Sequence, residues 1–328
     1  MSWLLYRWTW CLESPLYVGM PPAGSVNRCR LYVPARAVWG AVTAEIARAN
    51  AGSDFSPAYD DVGEQLRKHT RFTYLFPAER VNGDWRAWLP CYVSEQGLVW
   101  EREDDRARRL RDREFRARLL STRPSTAIEP SSDTAAEASL RETECINTRW
   151  RDQDGQVGGP VGLVGYILIH KDLDDAVRKS LEQIKAIMAG GDARYGLGQL
   201  RRWNEIAEDR VVFGCEVDLG QEDPVVSSKR VLAHAEVKAH AEPREGASSD
   251  PCGDKNSACG DKEVLRGWDY GSSDPWHVKN PLWVPGSCFT DPRHWGISDS
   301  GVWDEACVTD QESLEEPTRP AGQAPACL

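Results

Sequence analysis

Residues 161–200, VGLVGYILIHKDLDDAVRKSLEQIKAIMAGGDARYGLGQL, carry three patterns in succession. VGLVGYILIH (161–170) is an unbroken apolar run of strand length, as expected of a strand buried on both faces. DLDDAVRKSLEQIKAIM (172–188) spaces its apolar residues for a helix. Asp172, Asp174 and Asp175 stand at its start, where unpaired N–H groups favour negative charge. GGDARYGLG (190–198) is a loop with four glycines, and QLRRWNEIAEDRVVFGCEV (199–217) returns toward strand. The order predicts a β-α-β unit whose glycine loop sits immediately after a helix and before a strand.

The N-terminal part predicts a second such unit. In SWLLYRWTWCL (2–12), Leu4, Tyr6, Trp8, Trp10 and Leu12 fall on one side and Arg7 and Thr9 on the other, a strand pattern. After the Gly/Pro-rich VGMPPAGSVN (18–27), RCRLYVP (28–34) reads as a short second strand halted by Pro34. ARAVWGAVTAEIARA (35–49) places Val38, Trp39, Val42 and Ile46 at helical intervals. Two β-α-β units in one sheet predict an α+β fold of the ferredoxin-like, RRM type, with insertions.

Residues 50–120 form an excursion within a core spanning 1–218. It holds a helix (DDVGEQLRKHT), aromatic strands (RFTYLF, DWRAWLPCYV) and the run EREDDRARRLRDREFRARLL (101–120), with arginines at 102, 106, 108, 109, 111, 113, 116 and 118. That run has two readings, a solvated helix with internal ion pairs or a phosphate-facing ridge. Residues 219–265, rich in Ser, Glu, Asp, Lys and Ala, read as a polar insertion or linker, 266–304 as a Trp-rich segment closing on the core, and 305–328 as an acidic disordered tail.

The chain has 328 residues, 41% hydrophobic and 28% charged, with no apolar run long enough to span a bilayer and an N-terminus too polar for a secretory signal, so a cytoplasmic protein is expected. Ten scattered cysteines without a CxxC pair predict reduced thiols. Cys252, Cys259, His277 and Cys288 offer four zinc ligands, but their spacing matches no common structural-zinc pattern, and neither metal nor cofactor is expected. The net charge of −11 is unevenly placed: residues 1–202 hold 29 of the 40 Lys and Arg and 27 of the 51 Asp and Glu, a balance of +2. A near-neutral body can present a local basic groove to phosphate.

The glycine loop is neither a P-loop, which needs GxxxxGK[ST] between strand and helix, nor a dinucleotide fingerprint. Its bland reading is a glycine-rich helix C-cap and turn. Its functional reading is a loop that wraps an RNA backbone: Gly190, Gly191, Gly196 and Gly198 allow close approach, Arg194 adds charge and Tyr195 a stacking face.

Here the sequence resembles the RAMP superfamily, the RRM-like proteins of CRISPR effector complexes, whose glycine-rich loop ends R-x-G-x-G. LESPLYVGMPPAG followed by RLYVPARAVWGAVTAEIAR is similar to the RAMP opening, and RLLSTRPSTAIEPSSDTAAEASLRETECI to a central stretch common in type III subunits. The three segments occur in the family's order. The resemblance implies a crRNA-binding subunit of a type III-like effector, partnered by crRNA and other effector subunits, with target RNA as a further partner and no membrane. It carries RNA contact to Gly19 and Arg123 as well as to the loop. Where the family has IPGS this chain has VPAR, which makes Arg36 the candidate phosphate contact.

Target-cleaving relatives place an aspartate between the first strand and the IPGS segment, but GMPPAGSVNRCR (19–30) holds no Asp or Glu, so a non-catalytic subunit is expected. No histidine occupies the loop where precursor-processing relatives carry one; His69 is the nearest. NPLWVPGSCFTDPRHWGISDSGVW (280–303) reads either as a second degenerate unit or as a Trp-packed closing strand and turn. The missing aspartate and the aromatic excursions point to a subunit that caps the 5′ handle or another specialised end subunit, with a repeated backbone subunit as the alternative.

Overall fold

β1 (Trp3–Leu12) is followed by β2 (Val26–Asn27), α1 (Ala35–Ala49), α2 (Tyr59–His69), β3 (Thr70–Phe72), β4 (Phe76–Val81), β5 (Asp84–Val93), β6 (Gly97–Arg102) and β7 (Asp105–Arg111). Then come α3 (Asp112–Leu119), β8 (Leu120–Ser125), β9 (Arg141–Ile146), β10 (Gly162–His170), α4 (Asp175–Gln183), β11 (Ala186–Met188) and β12 (Gln199–Arg202). A second group comprises β13 (Cys215–Asp218), β14 (Val225–Arg230), β15 (Cys288–Ile297) and β16 (Trp303–Glu305), with shorter strands between. The computed structural model describes residues 2–52, 56–203, 207–237, 258–265 and 280–306. Among these the protein is α+β, rich in sheet with four α-helices.

The main sheet is ordered β11-β12-β1-β10-β4-β5-β6-β7, with β3 also on β10. β1 runs antiparallel to β10 from Trp3–His170 to Cys11–Gly162 and antiparallel to β12 at Leu12–Leu200. β10 is antiparallel to both β3 and β4. Every residue of β10 from Gly162 to Ile169 is buried, which accounts for its unbroken apolar run. Trp8, Trp10 and Leu12 of β1 are buried as its alternation predicts, but Leu4 is exposed and Trp3 and Leu5 are buried. The register with β10 is unbroken, so the face of Trp3, Leu5 and Thr9 is covered as well; there the Trp3 indole donates to the Glu222 carbonyl (3.1 Å), meets His170 edge-on and lies under the Arg71 guanidinium.

α1 buries Val38, Val42 and Ile46, while the half-buried Trp39 donates to the Gly63 carbonyl of α2 (3.1 Å). α4 is capped by Asp174, which accepts from the amides of Ala176 and Val177 at 2.9 and 3.1 Å. It ends at Gln183, because Ile184 turns to extended backbone and Ala186–Met188 pairs with β12 instead. The helix expected over 172–188 is therefore a helix and a strand. RCRLYVP forms no strand either; it makes single bridges, Gly19 to Cys29 and Val33 to Leu75. The run 101–120 is not one helix but the end of β6, β7 and the short α3.

The second sheet is ordered through β13-β14-β15-β16 and then residues 235–236, 282–283 and 262–263. Val225–Arg230, inside the stretch read as a polar insertion or linker, is one of its strands. Within the Trp-rich segment, Trp295 and Trp303 are fully buried. The two sheets share one hydrophobic core, in which Phe213 meets Tyr166 and Phe76 edge-on at 4.9 and 5.5 Å. Residues 307–328, nearly all of the stretch read as an acidic tail, lie outside the described residues, as do 266–279.

Candidate nucleic-acid interface

The glycine loop connects two antiparallel strands, β11 and β12, paired at Ile187–Leu200 and Met188–Gln199. It is a hairpin connection rather than the helix-to-strand turn expected. Its base is closed by two glycines in the left-handed region. A Cβ on Gly198 would lie 1.9 Å from the Ala189 carbonyl oxygen, and one on Gly190 would lie 2.3 Å from that of Tyr17. The tip is a single 3₁₀ turn, Ala193–Tyr195, followed by Gly196 in open space.

The loop is docked by its backbone on the segment that follows β1. The Gly191 amide donates to the Tyr17 carbonyl and the Gly198 amide to the Pro15 carbonyl, both at 2.8 Å. The Glu13 amide donates to the Gln199 carbonyl (2.9 Å), the Gln199 amide to the Ser14 hydroxyl (2.9 Å), and the Glu13 carboxylate pairs with Arg201. Leu16 in turn exchanges two amide–carbonyl bonds with Ile146 of β9 (2.9 and 2.8 Å). β9 pairs with β8, setting Arg123 opposite Thr143, and Asn27 of β2 donates to the Thr143 hydroxyl at 3.2 Å.

Electrostatics place these pieces side by side. Burial raises the Cys145 thiol, with Arg123 opposing and Asp192 adding to the shift, so Arg123 and the loop's Asp192 act on one sulfur. Burial likewise raises the Tyr17 hydroxyl, helped by Cys29, Asp192 and Cys145. The candidate residues Gly19, Arg123, Gly190, Gly191, Arg194, Tyr195, Gly196 and Gly198 therefore lie on a connected set of segments. Arg123 and Arg194 are exposed and make no ion pair among the described residues, and Tyr195 is 69% exposed. Arg36 stands elsewhere: it is exposed in the first turn of α1, beside Ala35, against which Gly301 packs so closely that a Cβ there would lie 2.0 Å from that of Ala35.

One acidic group comes into the acid-free loop from outside. Glu144 of β9 accepts from the Cys29 amide at 2.9 Å, a contact visible only once β9 is seen to run beside β2. His69 packs near His170, which pairs with Trp3, at the end of β1 away from the glycine loop. Of the four zinc candidates, Cys252 and His277 lie outside the described residues. Cys259 and Cys288 face each other across paired strands, and the Cys288 sulfur is 3.7 Å from that of Cys91 on β5. Among the described residues no group of three or more His, Cys, Asp or Glu is placed to hold a metal ion, and no helix is long and apolar enough to cross a membrane.

No family model and no curated protein matches the sequence. Among solved structures, the chain is similar to one in the cryo-EM structure of the type III-B Cmr-beta bound to cognate target RNA and AMPPnP, with a TM-score of 0.46 and 12% identity over 87% of this chain and 85% of that one. It is similar to a chain in Cmr-beta bound to cognate target RNA (TM-score 0.38, 10% identity, 62% of this chain, 96% of that one). A third is in the apo state of Cmr-beta (TM-score 0.37, 11% identity, 62% and 97%).

Proposed function

We propose that this chain is a non-catalytic RAMP subunit that holds crRNA in a type III-like CRISPR effector, capping or lining the guide near its 5′ handle. The observation that carries the reading is the docking of the glycine loop on residues 13–17, with Arg194 and Tyr195 turned to solvent and Arg123 on the adjoining hairpin. The three segments that resemble the family are far apart in the sequence, yet they meet at this place. A loop tied down by its own backbone is preorganised for phosphate, and an exposed tyrosine offers a face for an unstacked base. The antiparallel order β12-β1-β10-β3/β4, with a helix after β1 and another after β10, supports the ferredoxin-like, RRM-type reading.

The test is RNA retention. Protein purified with its partner subunits should carry guide RNA, and Arg194→Ala with Tyr195→Ala should lose most of it while the complex still assembles. Retention at the wild-type level would sink the assignment. Guide-charged protein should leave a complementary target uncut. The second reading is a repeated backbone subunit on the guide–target duplex, with or without target cleavage, and it is favoured by Glu144, which supplies a carboxylate to the loop. Metal-dependent cutting lost in Glu144→Gln would establish it, and native mass spectrometry would give the copies per complex.

A further inference from the structure

The outer edge of the main sheet carries a charge arrangement that the glycine loop does not use. Among the described residues β7 pairs only with β6, at the end of the sheet order. The ladder matches Glu101 with Arg109 but Arg102 with Asp105, which leaves Arg106, Ala107 and Arg108 with no residue opposite. This bulge leaves two arginines of β7 unpaired in the ladder, and Arg111 and Arg113 follow at the start of α3. All four are exposed, and none forms an ion pair among the described residues.

Four of the six nearby carboxylates, Glu101, Glu103, Asp104 and Asp112, are held in ion pairs. Glu101 binds Arg109 and Arg230, Glu103 binds Arg7, and Asp104 binds Arg102. Asp105 accepts from the Ala107 amide, Asp112 from Arg116 and the Trp100 indole, and Glu114 from the Arg111 amide. Among the described residues, four arginines are thus left without an ion pair within eight residues, flanked by two carboxylates, Asp105 and Glu114, that also lack one, in a chain whose net charge is −11. Charge on an edge strand guards against edge-to-edge pairing, but a single lysine or an inward-facing charge suffices for that. All four are arginine, the side chain whose planar fork matches phosphate oxygens.

We propose that this edge, Arg106, Arg108, Arg111 and Arg113, is a second RNA-binding surface that takes the phosphodiester backbone of single-stranded RNA. The inference rests on the RNA-binding reading above but uses different residues. The experiment is fluorescence anisotropy of the full chain with a fluorescein-labelled, mixed-sequence single-stranded RNA, titrated with salt. The fourfold Arg→Ala variant at these positions should reduce the slope of log K against log[salt] by about 3, at about 0.7 per contact, and weaken binding by at least about tenfold at physiological salt. The fourfold Arg→Lys variant should keep the slope, and an unchanged thermal midpoint shows that both variants are folded. An unchanged slope in the Ala variant overturns the edge, and the loop reading survives alone if Arg194→Ala still weakens binding. Wild type that binds no RNA overturns both. An Ala variant that keeps RNA but releases an acidic protein partner overturns the edge in favour of protein docking.

Discussion

At the residue scale, the glycines of one motif separate into different jobs. Gly198 faces the Ala189 carbonyl at a distance no Cβ tolerates, whereas Gly196 has open space around it and only a positive φ of 78° to satisfy. Gly198→Ala should therefore cost several kcal/mol and show as a lost or broadened unfolding transition, while Gly196→Val should cost about 1–3 kcal/mol, stay folded and reduce guide retention. Equal losses of stability in the two variants would remove the distinction. The sequence displays the four glycines but not this division, because it depends on which carbonyl approaches in the folded chain, that of Ala189 across the hairpin for Gly198 and that of the distant Tyr17 for Gly190. Cys91 is a second case that spacing does not reveal. Its hydrogen bond with Cys288 lowers the thiol most, burial opposes, and Arg230 adds to the fall. Alkylation of Cys91 by iodoacetamide should reach half its maximal rate below the ordinary thiol range, and Cys288→Ala should move the profile upward; an unmoved profile would show that Cys288 is not the cause.

At the element scale, the strands and helices with strong apolar periodicity were legible and the charged stretch was not. Val38, Val42 and Ile46 mark α1, and the unbroken run marks β10, because burial there writes itself into residue type. From Glu101 to Arg113 the one apolar side chain of size is Leu110, so the alternating charges suggest helical ion pairs; what decides for strand is pairing with β6, a contact made outside the segment. The short α3 is then held by Phe115, fully buried and stacked on Trp100 with centroids 4.4 Å apart and planes 13° apart. Trp88 and Trp150 close around the same ring at 5.6 Å. Phe115→Ala should cost about 3–5 kcal/mol in denaturant unfolding. A loss below about 1 kcal/mol would mean that α3 is not anchored by this cluster.

At the scale of the whole molecule, the joint between the sheets is polar at its centre, and the stretch 219–265 concealed it. That stretch reads as solvated because its acids and serines dominate, yet it supplies His234 and Glu263 to a site shared with Arg30, Tyr32 and Tyr74 of the N-terminal part. His234 Nδ1 lies 2.6 Å from the Tyr74 hydroxyl and Nε2 faces Glu263; burial shifts the imidazole downward, and a neutral ring at this place accepts from Tyr74 and donates to Glu263. Burial alone would raise the Glu263 carboxyl, but hydrogen bonds from His234 and Arg30 outweigh it and hold the group at about 2. A carboxyl whose folded pKa lies below its unfolded value of about 4.3 stabilises the native state fully above the unfolded value, and that contribution is lost as pH falls toward the folded one. The difference in unfolding free energy between wild type and Glu263→Gln should be on the order of 3 kcal/mol at neutral pH and should shrink between about pH 4.5 and 2, because glutamine resembles the protonated acid. A difference that stays constant across that window would show that Glu263 acts by packing alone, and that Arg30 does not depend on its charge to hold the second sheet against the first.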